Sequence, residues 1–536
     1  HLLLAPRRGD AGTVARLRAA ARTAADRGAS DSAVTYLRRA LEEPVLGAER
    51  VDVLLELGLL ETLVDGPAGA VHLEQAYPLL EDPAVRGEIA LSIARNHVFA
   101  SERGVATAFA RTARLSLPPE LVDLRQGLLA LERISAFMHG LDPADWATEE
   151  PPPVVGNRHG AKMLASTLAW EKTMAGVDRD VAIALARIAT CDDRLFEVDN
   201  GLLWVVAANC QMLADDDLGD YWQRAQAAAH RRGSLFAALS TNLWRGFHEW
   251  RRGDLPEAIA SIEAACEQQL MWQRARGVGT AYGDAFLARI HLDRGDVARA
   301  RAVIDPALAE PFMGEGWRLV LEAEVAVLVA EGRHAEALAA FEAVVDPQGI
   351  VNPAWRPWRS LKASALQGLG RHDEAVRLVT EELELARRWG APLTLGRTLR
   401  ILGELRGGPG LELLREAVDV LAPTPFALEL AKARFVLGSS SDVVDDEAEE
   451  LLSLALQGAH ACGAPGLRDA ALAALTARGH DVEAPCDDLG MLTTTERRIL
   501  DLTSAGLDVR EVAQQLFLTP GTVQAALDAL VPERLK

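Results

Sequence analysis

Two stretches decide how this chain folds: EGRHAEALAAFEAVV at 331–345 and LGRHDEAVRLVTEELELA at 369–386. Each opens on a small turn containing Gly, places an Ala a few residues on, and continues with apolar residues three and four apart. In the first these are Ala335, Leu338, Phe341 and Val344–Val345. That spacing lays one apolar stripe along an α-helix. Glycine supplies the positive φ that ends one helix and starts the next. The polar residue after it can cap the new helix, and the small Ala lets two helices press together. The phrase returns at 27–44, 65–80, 251–265, 293–310 and, more weakly, 406–421. The turn glycines are Gly28, Gly66 and Gly104, spaced 38 and 38, then Gly253, Gly295, Gly332, Gly370 and Gly408, spaced 42, 37, 38 and 38.

A period near 38 is slightly longer than a tetratricopeptide (TPR) repeat. No single hairpin can bury its stripe alone, so neighbours stack into a superhelix. The expected fold is all-α: a TPR-like superhelix of helical hairpins, then a small C-terminal helix-turn-helix. The boundaries read as repeats over 1–148, a Pro-rich loop at 149–160 (EPPPVVGNRHG lies within it), repeats over 161–478, a linker at 479–491 and the tail at 492–536. In 439–475, Asp442 or Asp445 is expected to cap the first helix of the last pair.

Composition agrees. Of 536 residues, 49% are apolar, 25% charged and only 5% aromatic. That excludes a disordered chain, and the scarcity of β-branched runs excludes a large sheet. The net charge of −21 excludes a general nucleic-acid binder, so any DNA contact needs a local module. Lysine is confined to Lys162, Lys172, Lys362, Lys432 and Lys536, the remaining basic residues being Arg. The five cysteines, at 191, 210, 266, 462 and 486, include no CxxC pair, which fits a reduced cytoplasm. No uninterrupted apolar run is long enough for a membrane span. The opening HLLLAPRRGD lacks a signal-peptide layout, and the chain reads as a piece of something longer.

The tail differs from the repeats. Thr493 and Glu496 form a capping box, with Ile499, Leu500 and Leu502 on the apolar face of the helix that follows. Gly506 stops it. Arg510–Leu516 is expected to be a second short helix, FLTP a turn, and Thr519 the cap of a third helix with Pro520 at its first position. Val523, Leu527 and Leu530 face inward. The tail resembles the LuxR-type helix-turn-helix through Leu492, Thr493, Glu496, Leu500, Leu502, Gly506, Glu511, Val512, Ala513, Leu516, Leu518, Thr519, Thr522, Val523 and Leu527. With the upstream repeats, the chain is similar to the large ATP-binding LuxR regulators, of the maltose-activator-like type. The resemblance implies a transcription regulator that docks its third helix in the major groove of promoter DNA. Arg510, Thr519, Thr522, Val523 and Gln524 are the implied DNA-contacting residues. The ATPase of that family has no counterpart: GNRHGAKM at 156–163 lacks phosphate-loop spacing, so no cofactor is expected in this chain, and ATP would need an upstream domain. The tail is also poor in cations. Arg497, Arg498, Arg510, Arg534 and Lys536 stand against Glu496, Asp501, Asp508, Glu511, Asp528 and Glu533. Gly521, Ala526 and Glu533 occupy positions where the family carries polar or basic residues. DNA binding is therefore expected to be weak or conditional, with a homodimer as one way to double the contacts.

Trp204, Trp222, Trp244, Trp250, Trp272, Trp317, Trp355 and Trp358 crowd the middle of the chain. A concave superhelical face suits an inducer or a protein partner. Trp244, Trp272, Trp317, Trp355, Arg356 and Trp358 are the candidate contacts, Arg356 and Arg359 of WRPWR offering charge beside rings. Filling helix junctions is the competing role for the rings. Acidic runs such as Asp215–Asp217 read as solvated faces. No nucleophile elbow, HExxH or metal-spaced Cys/His group is present, so neither an enzyme nor a metal protein is expected. Two functions remain: a DNA-binding regulator controlled by the repeats, or a TPR-like interaction scaffold whose tail no longer reads DNA.

Overall fold

A computed structural model describes residues 3, 7, 11–43, 47–100, 104–142, 150–273, 276–310, 314–342, 350–480, 482, 492–516 and 520–530. Among these residues there are helices and no strands. Among the described residues most consecutive helices of the repeats pack on one another, as the period predicts. At Gly253 and Gly295 φ is +94° and +83°. Each glycine ends a helix, and the next residue caps the following one: Asp254 accepts from the Glu257 amide at 3.3 Å and Asp296 from the Arg299 amide at 2.9 Å. Five residues after Gly28, Gly253, Gly295, Gly332 and Gly370 sit Ala33, Ala258, Ala300, Ala337 and Ala375, all 0% exposed. These are the close-approach points of the hairpins.

Several expectations shift in register. Ala335 is exposed, and Ala337 with Phe341 takes the buried stripe; Val344–Val345 lie outside the described residues. Gly66 and Gly408 lack the positive φ of the other turns, Gly407 taking it beside Gly408; Gly66 begins the helix Gly66–Ala76, with Asp65 accepting from Ala68. It is small for a different reason, since a Cβ there would stand 2.0 Å from the Trp272 ring. The last repeat pair is not capped by an aspartate: Val444 precedes the helix Asp445–Ala461, with no side-chain cap. The Pro-rich loop interrupts the sequence but not the stack. Val122–Met138 packs directly on His159–Ala175, and Asp123 accepts from the Gly160 and Ala161 amides.

The superhelix winds tightly enough for successive turns to touch. Trp272 Nε1 donates to the Thr62 carbonyl at 3.3 Å, 210 residues away. Ser30 Oγ bonds the Arg232 carbonyl across 202 residues, Trp389 Nε1 the Leu213 carbonyl across 176, and Asn352 Nδ2 the Thr173 carbonyl across 179. One turn therefore takes roughly five repeats of the 38-residue unit. The largest apolar cluster accordingly runs from Ala94 to Ala464 as one body. Burying both faces of each hairpin in this way supplies the cohesion that an open array takes from nearest neighbours alone.

The tail forms three short helices, Thr494–Ser504, Val509–Leu516 and Pro520–Leu530. Thr493 Oγ1 accepts from the Glu496 amide at 3.0 Å while the Glu496 carboxylate accepts from the Thr493 amide at 2.8 Å. Ile499, Val512, Ala513 and Val523 make their core.

Candidate functional site

The first helices of consecutive repeats turn one face toward the superhelix axis. Six of them, Leu235–Arg252, Val278–Asp293, Glu315–Ala330, Trp358–Gly368, Pro392–Arg406 and Ala427–Gly438, surround a cavity of about 260 Å³. The last meets the first, so the wall closes on itself. Three bonds seal the seam: Lys432 Nζ to Asp293 at 2.6 Å, Trp250 Nε1 to the same carboxylate at 2.7 Å, and the Leu255 amide to the Cys462 carbonyl at 3.3 Å.

The wall is half rings and half charges. Phe247, Trp250, Phe286 and Trp355 give the apolar part, with Phe247 stacked on Phe286 at 4.8 Å and Trp355 6.0 Å from Phe247. Arg251, Arg289, Arg397, Arg400 and Lys432 face Asp293, Glu322 and Glu429. Most of these pair off. Arg400 holds Glu429 at 2.6 Å, Lys432 holds Asp293, and Glu322 is taken by Arg356 at 2.7 Å. Arg251 reaches Asp215 at 2.7 Å, whose other oxygen accepts from the Leu393 amide one turn along. Asp215, read from sequence as part of a solvated run, has its side chain 3% exposed; it is an internal strut. Burial pushes the Asp293 carboxyl up, but Lys432 and Trp250 outweigh it and hold the group below the usual carboxylate range. Burial acts likewise on Glu429, and Arg400 and Lys432 bring it down. Both carboxylates are thus ionised and spent on their partners.

A second, smaller cavity of about 60 Å³ lies on the preceding turn and is lined almost wholly by apolar groups, among them Phe99, Phe137, Trp170 and Tyr282. Trp244 lines it and touches Trp355 at 6.2 Å between ring centres, so the two cavities share an aromatic partition.

The structure separates the six candidate contacts of the repeats. Trp244 and Trp355 line the two cavities. Trp355 is fixed by a 2.7 Å bond from Nε1 to Glu315. Trp272 is 2% exposed and fills the junction with the first turn. Trp317 packs on the main apolar cluster and lines neither cavity. Arg356 is 2% exposed and engaged with Glu322, so it does not offer its charge to a ligand beside the rings as WRPWR suggested. Trp358 rests on Phe341 and lies under Arg359 at 4.2 Å. Sequence reasoning missed Phe247, Phe286, Arg289, Arg397 and Lys432. Their signal was present as charged or aromatic residues three and four apart on inner faces, such as Phe286, Arg289 and Asp293, which look like ordinary helix periodicity.

The tail docks on the cavity's own hairpin. The Thr495 amide and Oγ1 both bond the Glu257 carboxylate at 3.2 Å, and Arg497 lies 3.9 Å from Asp254. Glu257 also takes Arg245. Of the implied DNA-contacting residues, Arg510, Thr522 and Gln524 are exposed, and Gln524 bonds Asp528 at 2.8 Å. Val523 is 0% exposed and is a core residue of the three helices, which removes it from any DNA-facing set. Thr519, with Phe517 and Leu518, lies outside the described residues. Among the residues of Pro520–Leu530 whose exposure is described, the exposed ones are Pro520, Gly521, Thr522, Gln524, Ala525 and Asp528, a set with no cation.

Among the described residues no His, Cys, Asp and Glu group could hold a metal ion, and no helix is long and apolar enough to cross a membrane. No family model matches the chain, and no curated protein matches it. Among solved structures it is similar to the yeast Tom70, at 13% identity and a TM-score of 0.27, covering 87% of this chain and 96% of that one. It is also similar to the APC/C hetero-tetramer Cut9-Hcn1, at 14% identity and a TM-score of 0.32, covering 86% and 97%.

Proposed function

We propose that this chain is a TPR-like binding scaffold that holds a ligand or partner inside its helical ring and passes the bound state to its tail. One observation carries the reading: the hairpin of Leu235–Arg252 and Leu255–Gln273 serves both sites. Its first helix gives Phe247, Trp250 and Arg251 to the cavity wall, and the start of its second holds Thr495 through Glu257. A shift of this hairpin on occupancy alters the tail's seat, which gives each state its own contacts.

The finer reading, a transcription regulator that binds promoter DNA, is favoured by the capped three-helix tail with Thr522 and Gln524 outward. It is opposed by the missing cations, because phosphate neutralisation supplies most non-specific affinity. Fluorescence anisotropy against pooled promoter DNA at about 50 and 200 mM salt separates the two. The scaffold reading expects no saturable binding that survives competitor DNA. Saturable binding with a steep salt slope makes the chain a regulator. The coupling itself is read by amide exchange over 494–530 in Glu257→Gln, which should open the tail while the repeats stay protected; an unchanged tail refutes the docking role.

A further inference from the structure

Charge pairing around the cavity inside the helical ring does not balance. Arg400, Lys432, Arg251 and the carboxylates they meet are accounted for, and Glu322 is neutralised from outside the wall by Arg356. Two cations remain. Arg289 makes no hydrogen bond or ion pair among the described residues. Arg397 gives one terminal nitrogen to the Pro353 carbonyl at 2.7 Å, makes no ion pair with a carboxylate among the described residues, and its Nε is buried with no hydrogen-bond partner. They stand on different helices, Val278–Asp293 and Pro392–Arg406, and converge on one cavity. Burial lowers the Arg397 pKa; the nearby Glu382 and Glu429 act against it, and the neighbouring Arg251 and Arg289 add to it. A guanidinium stays charged regardless, so two cations stand in a low-dielectric wall where the nearby carboxylates Asp293 and Glu429 are already hydrogen-bonded to Lys432 and Arg400. Such an arrangement costs stability unless a counter-charge arrives.

The geometry points to this cavity as the binding site of a small anion with an apolar, ring-sized body: a carboxylate or phosphate head between Arg289 and Arg397, its body against Phe286, Trp250 and Trp355. The head satisfies the vacant donors, since a guanidinium fork matches the oxygens of both groups. The body meets the rings that complete the wall. A volume of about 260 Å³ suits on the order of ten non-hydrogen atoms. The inference rests on the scaffold reading and names what the ring holds.

The test uses the whole chain and defined probes: benzoate, phenyl phosphate, inorganic phosphate and neutral benzamide, read by Trp fluorescence and by the melting temperature. Benzoate or phenyl phosphate should quench saturably and raise the melting temperature, and which of them binds tighter identifies the head. Arg289→Gln and Arg397→Gln should each weaken binding by about tenfold or more. Because Arg289 makes no hydrogen bond or ion pair among the described residues, Arg289→Gln should leave the ligand-free melting temperature unchanged or raised, where a structural arginine would lower it. No response to any anion, binding indifferent to both substitutions, or benzamide binding as well as benzoate would each overturn the site. Inorganic phosphate binding as tightly as phenyl phosphate would overturn the role of the rings. Anion binding that leaves amide exchange over 494–530 unchanged would keep the site and remove its coupling to the tail. A tail released by Glu257→Gln without any anion response would do the reverse.

Discussion

Gly66→Ala is the sharpest probe of the contact between superhelical turns. Gly66 starts a helix, and there Ala would ordinarily be worth up to about 1 kcal/mol over Gly. Here its Cβ would lie 2.0 Å from Trp272 Cζ2 and 2.5 Å from Cη2, where carbon atoms rest at about 3.5–4.0 Å. The ring cannot step back freely. It is 2% exposed, its centre is 4.5 Å from that of Phe236, and its Nε1 is bonded to the Thr62 carbonyl. Overpacking costs about 1–3 kcal/mol and the strained hydrogen bond about 1 kcal/mol more, so against that gain a net loss of about 1–3 kcal/mol is expected. Cζ2 and Cη2 belong to the six-membered ring, so Trp272→Phe vacates the space. In that background Gly66→Ala should be near neutral, a coupling of about 2 kcal/mol in a double-mutant cycle. A repeat array need not unfold in one step, so amide exchange in the helix Gly66–Ala76 is the proper readout, with urea midpoints alongside. A neutral or stabilising Gly66→Ala, or an equal loss in both backgrounds, would mean that the turns do not meet at this point.

Ala337→Leu, at a position 0% exposed, should cost about 1–3 kcal/mol by overpacking, whereas Ala335→Leu on the exposed face should stay within about 0.5 kcal/mol; urea denaturation compares them. Val523→Ala should destabilise the tail by about 1–3 kcal/mol, seen as faster amide exchange over 509–530, while Gln524→Ala leaves exchange unchanged. Burial, then the neighbouring Asp254, pushes the Glu249 carboxyl up to about 7 from its usual 4.5. Its contribution is therefore full below pH 4.5 and is lost as pH rises through 7. Glu249→Gln should remove that loss and gain on the parent by about 2–3 kcal/mol at pH 8, measured as melting temperature against pH; no gain would place the carboxyl in water.

What the sequence made legible is what depends on near neighbours. A glycine five residues before a buried alanine is a local statement about two helices and their turn, and it holds at Gly253, Gly295, Gly332 and Gly370. The Thr493–Glu496 box is likewise contained in four residues. What stayed hidden depends on closure. Gly66 carried the same letter as the turn glycines, yet its reason is a ring 206 positions further on. Arg356 looked available beside its tryptophans until Glu322 and Glu315 were brought to it. Asp215 looked like solvated charge until Arg251 and Leu393 met it from two directions. Arg289 and Arg397 could not be singled out among so many arginines, because an unpaired charge is recognised only after every other charge has been assigned its partner in space. Val523 was pulled two ways in the sequence, inward by its period and outward by the resemblance, and burial sides with the period.

The same closure explains how a chain of net charge −21 can carry a cationic interior. Net charge is a property of the surface, where carboxylates are hydrated and screened over about 8 Å at physiological salt. The ring wall is different ground. There Asp293, Glu322 and Glu429 are each within 2.7 Å of a cation, so their fields fall off as those of close pairs. The charges of Arg289 and Arg397 have no such partner and dominate the cavity at short range. The tail shows the converse. Its third helix projects Asp528 and no cation on its exposed face, so the overall acidity is uncorrected there, on the one surface where DNA would need it reversed. The arginines that would have served a duplex are instead assembled inside the superhelix, and it is the interior, more than the tail, that this sequence has equipped for recognising an anion.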